Sequence, residues 1–210
     1  MIKCNVFFNK NGIIDKCGNE WIARGNPQIV EGGLHNRYAY KGASDVNFHV
    51  DKPLNLNIGT GDYTIECWYK SDYNTESDCL FELSQVVGGM TSNYPNYVIL
   101  SGEWCAYAGG QQRCWFPINK WTHLALVRHN GYQTYYINGK SKLYFQNIED
   151  MTNYEYFCIG NGYSHLYYLR GIIDSIRIAN HAIYTKEFTP KKFSDNKWLY
   201  ITENKKVYTS

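Results

Sequence analysis

The chain has 210 residues and a mass of 24.5 kDa, a size that fits one large all-β domain or two small ones. Its 21 basic and 19 acidic residues leave a net charge of +2, and charged residues make up only 19% of the total; this excludes a polybasic nucleic-acid binder and an acidic disordered tail. Aromatic residues at 17%, including 20 tyrosines, argue against disorder, and no apolar run approaches the roughly 18 residues of a membrane-spanning helix.

The opening Met1-Ile-Lys-Cys-Asn-Val-Phe-Phe-Asn-Lys10 breaks its apolar stretch too early for a secretory h-region, so synthesis in a cytosol without export is expected. Turn signals follow about every 8–12 residues, the spacing of a sandwich or barrel. In Gly61-Asp-Tyr-Thr-Ile-Glu-Cys-Trp-Tyr-Lys70, side chains alternate: Tyr63, Ile65, Cys67 and Tyr69 share one face, and Thr64, Glu66, Trp68 and Lys70 the other. Between Trp121 and Tyr144, Asn130-Gly131 and Asn138-Gly139 are dipeptides that accept positive φ. They predict a three-stranded meander closed by two tight hairpins. Gly171-Ile-Ile-Asp-Ser-Ile-Arg-Ile178 reads as a further strand, with Asp174 in phase with Ile172, Ile176 and Ile178. A carboxylate in an apolar phase needs hydrogen-bond donors, so Asp174 is expected to accept from loop amides. Residues 179–187 predict one or two helical turns, stopped by Pro190.

The seven cysteines (Cys4, Cys17, Cys67, Cys79, Cys105, Cys114, Cys158) contain no C-x-x-C pair. Buried free thiols are expected rather than a zinc knuckle or disulfide set. There is also no Asn-x-Ser/Thr sequon.

Four ordered motifs now point to a family. The strand at 61–70 resembles the G-D-F-T-I-E-x-W-V-K strand of laminin-G-like, concanavalin A-like jelly rolls. Trp121-Thr-His-Leu-Ala-Leu-Val-Arg128 followed by Tyr135-Tyr-Ile-Asn-Gly139 is similar to that family's meander. Ile159-Gly160 and the strand at 171–178 resemble its closing strands. Ala182-Ile-Tyr-Thr-Lys-Glu-Phe-Thr-Pro190 and the lead-in Gly12-Ile-Ile-Asp-Lys-Cys-Gly-Asn-Glu-Trp21 are similar to versions carried by bacteriophage structural proteins. The resemblance implies an all-β, two-sheet antiparallel jelly-roll sandwich with minimal helix. It spans a domain at 1–192, leaving 193–210 as an extension. There Trp198-Leu-Tyr-Ile201 is expected to add an edge strand or reach a neighbouring subunit.

Enzyme chemistry is not expected. Retaining glycosidases need two carboxyls about 5–5.5 Å apart, whereas in Glu76-Ser-Asp-Cys-Leu-Phe-Glu82 the two glutamates would lie roughly 20 Å apart along a strand. The chain has no nucleophile elbow, P-loop or metal-protease spacing, and His123 is read as a packing or strand-bonding residue. A glycan- or partner-binding surface is expected instead, because aromatic faces stack on sugars while amides and guanidinium grip hydroxyls. One candidate group is Tyr94, Tyr97, Trp104, Tyr107, Arg113 and Trp115; the other is Tyr163, His165 and Tyr167. No cofactor is expected. Calcium, which laminin-G-like modules often hold, would fall on Asp45, Asp62 and the Glu149-Asp150 pair, although no clustered D-x-D-x-D pattern occurs.

The leading expectation is a non-enzymatic virion structural protein of a tailed bacteriophage, acting as head decoration, head fibre or tail-associated adhesin. It would be made in the host cytoplasm and located in the virion. Its partners would be other virion proteins, copies of itself and a host-surface glycan, with neither nucleic acid nor membrane insertion. A free carbohydrate-binding lectin is the alternative, and a glycoside hydrolase a third reading.

Overall fold

The computed structural model describes residues 1–35, 37–72, 78–87, 97–101, 117–162, 167–191 and 193, with the backbone alone at 78, 97–101, 162 and 167. Sixteen strands run in chain order among them: β1 (Ile2–Asn9), β2 (Gly12–Asp15), β3 (Ile22–Arg24), β4 (Gln28–Glu31), β5 (Tyr38–Lys41), β6 (Asn47–His49), β7 (Tyr63–Ser71), β8 (Asp78–Ser84), β9 (Tyr97–Ser101), β10 (Thr122–His129), β11 (Tyr132–Ile137), β12 (Lys140–Gln146), β13 (Tyr156–Ile159), β14 (Asn161–Gly162), β15 (Tyr167–Tyr168) and β16 (Gly171–Ala179). The larger sheet has the order β12-β11-β10-β7-β16-β1-β2, with β5 also pairing β16 and carrying β4; the smaller is β3-β6-β13-β8-β9. All strand pairings are antiparallel, as a jelly-roll sandwich requires.

The alternation read at 61–70 is the observed one. Tyr63, Ile65, Cys67 and Tyr69 enter the core between the sheets, with Leu124, Leu126, Tyr135, Ile137 and, from the facing sheet, Leu80, Phe81, Leu83 and Phe157. The meander is present with both turns, whose residues Asn130, Gly131, Asn138 and Gly139 all have positive φ. Cys4, Cys67, Cys79 and Cys158 are buried free thiols as expected, but Cys17 is exposed; the chain turns out of the sheet there, Gly18 N donating to Asp15 O.

Two expectations are corrected. Residues 180–189 form no helix. They run as a bent strap across the outer face of the larger sheet, because Thr64 Oγ1 donates to His181 O and accepts from Ile183 N. A helix would withdraw those backbone groups into its own ladder. In β16, the register shifts between Ile173 and Ile176. This bulge flips the phase, so Ile173 takes the core position expected of Ile172 and packs with Ile176 and Ile178.

Candidate functional site

The outward residues Glu66 of β7, His123 of β10 and Arg177 of β16, on three adjacent strands, lie beneath the strap, and Trp68 of β7 packs against His123. Side by side in register, Ala125 faces Glu66, which faces Arg177 on its other side. The Glu66 side chain is fully buried. Its Oε1 accepts from Arg177 Nε at 2.6 Å, and from Nη2 as well. Oε2 lies 2.9 Å from both His123 Nε2 and the Tyr184 hydroxyl. A carboxylate only accepts, so His123 donates through Nε2. Burial raises the Glu66 pKa, but Arg177 and His123 together outweigh it and hold the carboxyl below its ordinary value. Tyr184 and Phe188 of the strap stack on each other and pack with Ala125, Val127 and Tyr136, and Phe193 lies over the Arg177 guanidinium at 4.6 Å. This ionic knot ties the strap to the sheet; sealed from solvent, it has no face for a ligand.

Asp174 behaves as expected of a structural acceptor: its Oδ2 accepts from the His35 backbone N–H at 2.7 Å. Ser175 Oγ and Asp174 Oδ2 both approach His35 Nδ1, at 3.3 and 3.2 Å. A hydrolytic triad needs hydroxyl and carboxylate on opposite ring nitrogens; with both on one nitrogen, no proton relay exists. Arg128, fully buried, donates to the carbonyls of Gly61, Glu149 and Gly59 and clamps two rim loops together.

The residues considered for calcium are engaged by protein donors. Asp62 Oδ2 lies 2.7 Å from His129 Nδ1 while Oδ1 accepts from Asn130 N. Glu149 accepts from the Tyr154 hydroxyl, and Asp150 from Thr152. Asp45 stands apart, in a turn with positive φ. Among the described residues no group of three His, Cys, Asp or Glu has metal-binding geometry. Among the described residues, an open hollow of about 260 Å³ lies beside Glu20 and Lys52, and another of about 300 Å³ lies between the β1–β2 turn and Ala23, Pro27 and Ile29.

Of the nine residues expected to bind, Tyr94, Trp104, Tyr107, Arg113, Trp115, Tyr163 and His165 lie outside the described residues, and Tyr97 and Tyr167 are placed by backbone only, in β9 and β15. Sequence reading missed the exposed aromatic surface at the β11–β12 edge. There Tyr132 and Tyr144, 40% and 66% exposed, stack with centroids 5.1 Å apart and planes within 5°. Ile148, 71% exposed, lies alongside Gly131. The signal was available: Tyr132 and Tyr144 fall in the phase opposite to Tyr135 and Leu143, the outer face of an edge hairpin.

Residues 42–189 match the family model of the concanavalin A-like lectin/glucanases superfamily, in its laminin-G group. The chain belongs to this family. Among solved structures it is similar to domain 4 of AbnA, a GH43 extracellular arabinanase from Geobacillus stearothermophilus in complex with arabinotriose, at 19% identity and TM-score 0.65, covering 87% of this chain and 94% of that one. It is also similar to the botulinum neurotoxin serotype G binding domain (11% identity, TM-score 0.62, 88% and 49% covered). The binding domain of botulinum neurotoxin DC in complex with SialylT follows at 14% identity and TM-score 0.60, with 87% and 48% covered. The chain thus spans about half the length of these toxin domains. No curated protein sequence matches it.

Proposed function

We infer that the chain is a non-enzymatic binding module that holds a saccharide on the outside of a rigid sandwich. The observation carrying this reading is the division of its side chains. Of the three buried carboxylates among the described residues, Glu66 accepts from Arg177 and Asp174 from the His35 backbone in the larger sheet, and Glu82 lies apart in β8 of the smaller sheet, whereas large aromatic side chains gather on an exposed edge. Glycosidic cleavage needs two carboxyls facing each other across a cleft, and these three are buried within the sheets rather than set at an open cleft. The structural neighbours that hold arabinotriose and SialylT support a saccharide as the ligand class. Glycan-array binding by the full chain tests the reading; absence of binding, or release of reducing ends from arabinan or bacterial polysaccharides, overturns it.

At a finer level, the module serves as a virion structural protein of a tailed bacteriophage: head decoration, head fibre or tail-associated adhesin. The phage-like segments at 12–21 and 182–190 support this, with other virion proteins, further copies of the chain and a host glycan as partners. The free lectin draws equal support from the fold. Co-purification with particles, read by mass spectrometry, favours the virion component; its absence from particles alongside retained glycan binding favours the lectin.

A further inference from the structure

We propose that Tyr144, backed by Tyr132 and flanked by Ile148, is a stacking platform for an uncharged saccharide, at a site on the outer edge of the larger sheet. The proposal rests on the saccharide-binding reading above and adds where the sugar sits and which class it belongs to. Register fixes the surroundings. Tyr144 stands opposite Thr134, and Tyr132 between Gln146 of β12 and His129 of β10, so all five share the outer face. The parallel contact with Tyr132 holds the Tyr144 ring in one orientation while most of it remains in water. A pre-ordered ring loses little freedom on binding. Its π-face suits the C–H face of a pyranose or furanose.

The polar rim decides the ligand class. Gln146 is exposed, and Asp62, hydrogen-bonded to His129, keeps a side chain 32% exposed. Both accept from hydroxyls. Along β12, Lys140 is paired with Glu187 at 2.8 Å and Lys142 lies close to the same carboxylate, so with Asp62 the two lysines meet two acids and the rim offers no net charge to draw an ionic ligand. The size of the patch argues against a second copy as occupant. Tyr132, Tyr144 and Ile148 expose on the order of 400 Å² together, within the roughly 300–600 Å² of the largest apolar patch on an ordinary monomer, and enough for one or two sugar rings.

The test is an array of neutral arabino-, gluco- and galacto-oligosaccharides beside sialylated and uronic-acid counterparts. It is probed with the full chain, Tyr144→Ala, Tyr144→Phe, Tyr132→Ala and Trp104→Ala, each checked for an unchanged melting temperature, with sedimentation in parallel. The expected result is binding to neutral oligosaccharides, weakened about tenfold or more by Tyr144→Ala and retained by Tyr144→Phe. Neutral binding that survives both tyrosine-to-alanine changes, or falls only with Trp104→Ala, overturns this site and leaves the saccharide-binding reading standing. Preference for the acidic oligosaccharides overturns the ligand class, and self-association lost on Tyr144→Ala reassigns the patch to an interface between copies. Binding to none of them overturns both readings.

Discussion

At the residue scale, Glu66 and Arg177 carry the heaviest electrostatic load. Each is buried, and each is tolerable only because the other is present. Removing one partner of such a pair costs about 3–5 kcal/mol, whereas replacing both with apolar groups of similar size is often neutral. Arg177→Met should therefore destabilise the chain by about that amount in denaturant melts, and adding Glu66→Leu should recover part of the loss. If the double variant is weaker than Arg177→Met, the knot is not the pairwise unit its geometry indicates. Cysteine reactivity belongs to the same scale. Cys17 is exposed, yet partial burial, with Asp15 adding to it, pushes its thiol up to about 11. The thiolate is the reactive form, so Cys17 should alkylate slowly at neutral pH, and Cys4, Cys67, Cys79 and Cys158 only on unfolding. Peptide mass mapping after iodoacetamide treatment checks this; fast labelling of Cys17 at pH 7 contradicts it.

At the scale of elements, the strap and the β11–β12 turn are built around each other. Asn138 Oδ1 accepts from His123 N, and Gly139 O accepts from Phe188 N, so one hairpin turn anchors both β10 and the strap. Gly139 has φ +74°, and a Cβ there would sit 1.9 Å from Phe188 O. Alanine at this position meets a left-handed backbone penalty of about 1–2 kcal/mol together with a collision that only movement of the strap relieves. Gly139→Ala should thus cost about 2 kcal/mol or more and open residues 180–189 to limited proteolysis with the sandwich intact; an uncut strap in the variant would refute this coupling. The meander was legible because its Asn-Gly turns and period-two alternation are local. The strap was not, since residues 179–187 carry helix-compatible spacing whose backbone is claimed by Thr64, 117 and 119 positions away from His181 and Ile183.

For the whole molecule, β1 and β16, the first and last strands among the described residues, pair within the larger sheet, so distant parts of the chain must meet before the core closes. Such non-local pairing predicts slow folding for the chain length. Acid stability follows from groups spread over the fold. Burial lowers the pKa of His49, reinforced by Arg24, and that of His181, reinforced by the N-terminal amine and Arg177; Glu66 is also held below its ordinary value. A depressed pKa contributes stability above the unfolded value that is lost as pH falls through the folded one. Stability should therefore begin to fall below about pH 6.5 through the histidines and fall again below about pH 4.5 through Glu66. Glu66→Gln should flatten the second decline. A curve level from pH 7 to pH 3 would rule this out.

The sequence by itself determined the all-β class, the core-facing set of β7, the meander with its two turns and the family, because these depend on alternation and turn chemistry within a few residues. It did not reveal that the outer face is half covered. Whether Glu66, His123 and Arg177 lie in water or in a sealed knot depends on contacts 57 and 111 residues apart and on a strap whose path the sheet dictates. The same covering left Tyr132 and Tyr144 bare at the far end. Exposure is a property of what lies on top of a residue, and only the tertiary structure decides that.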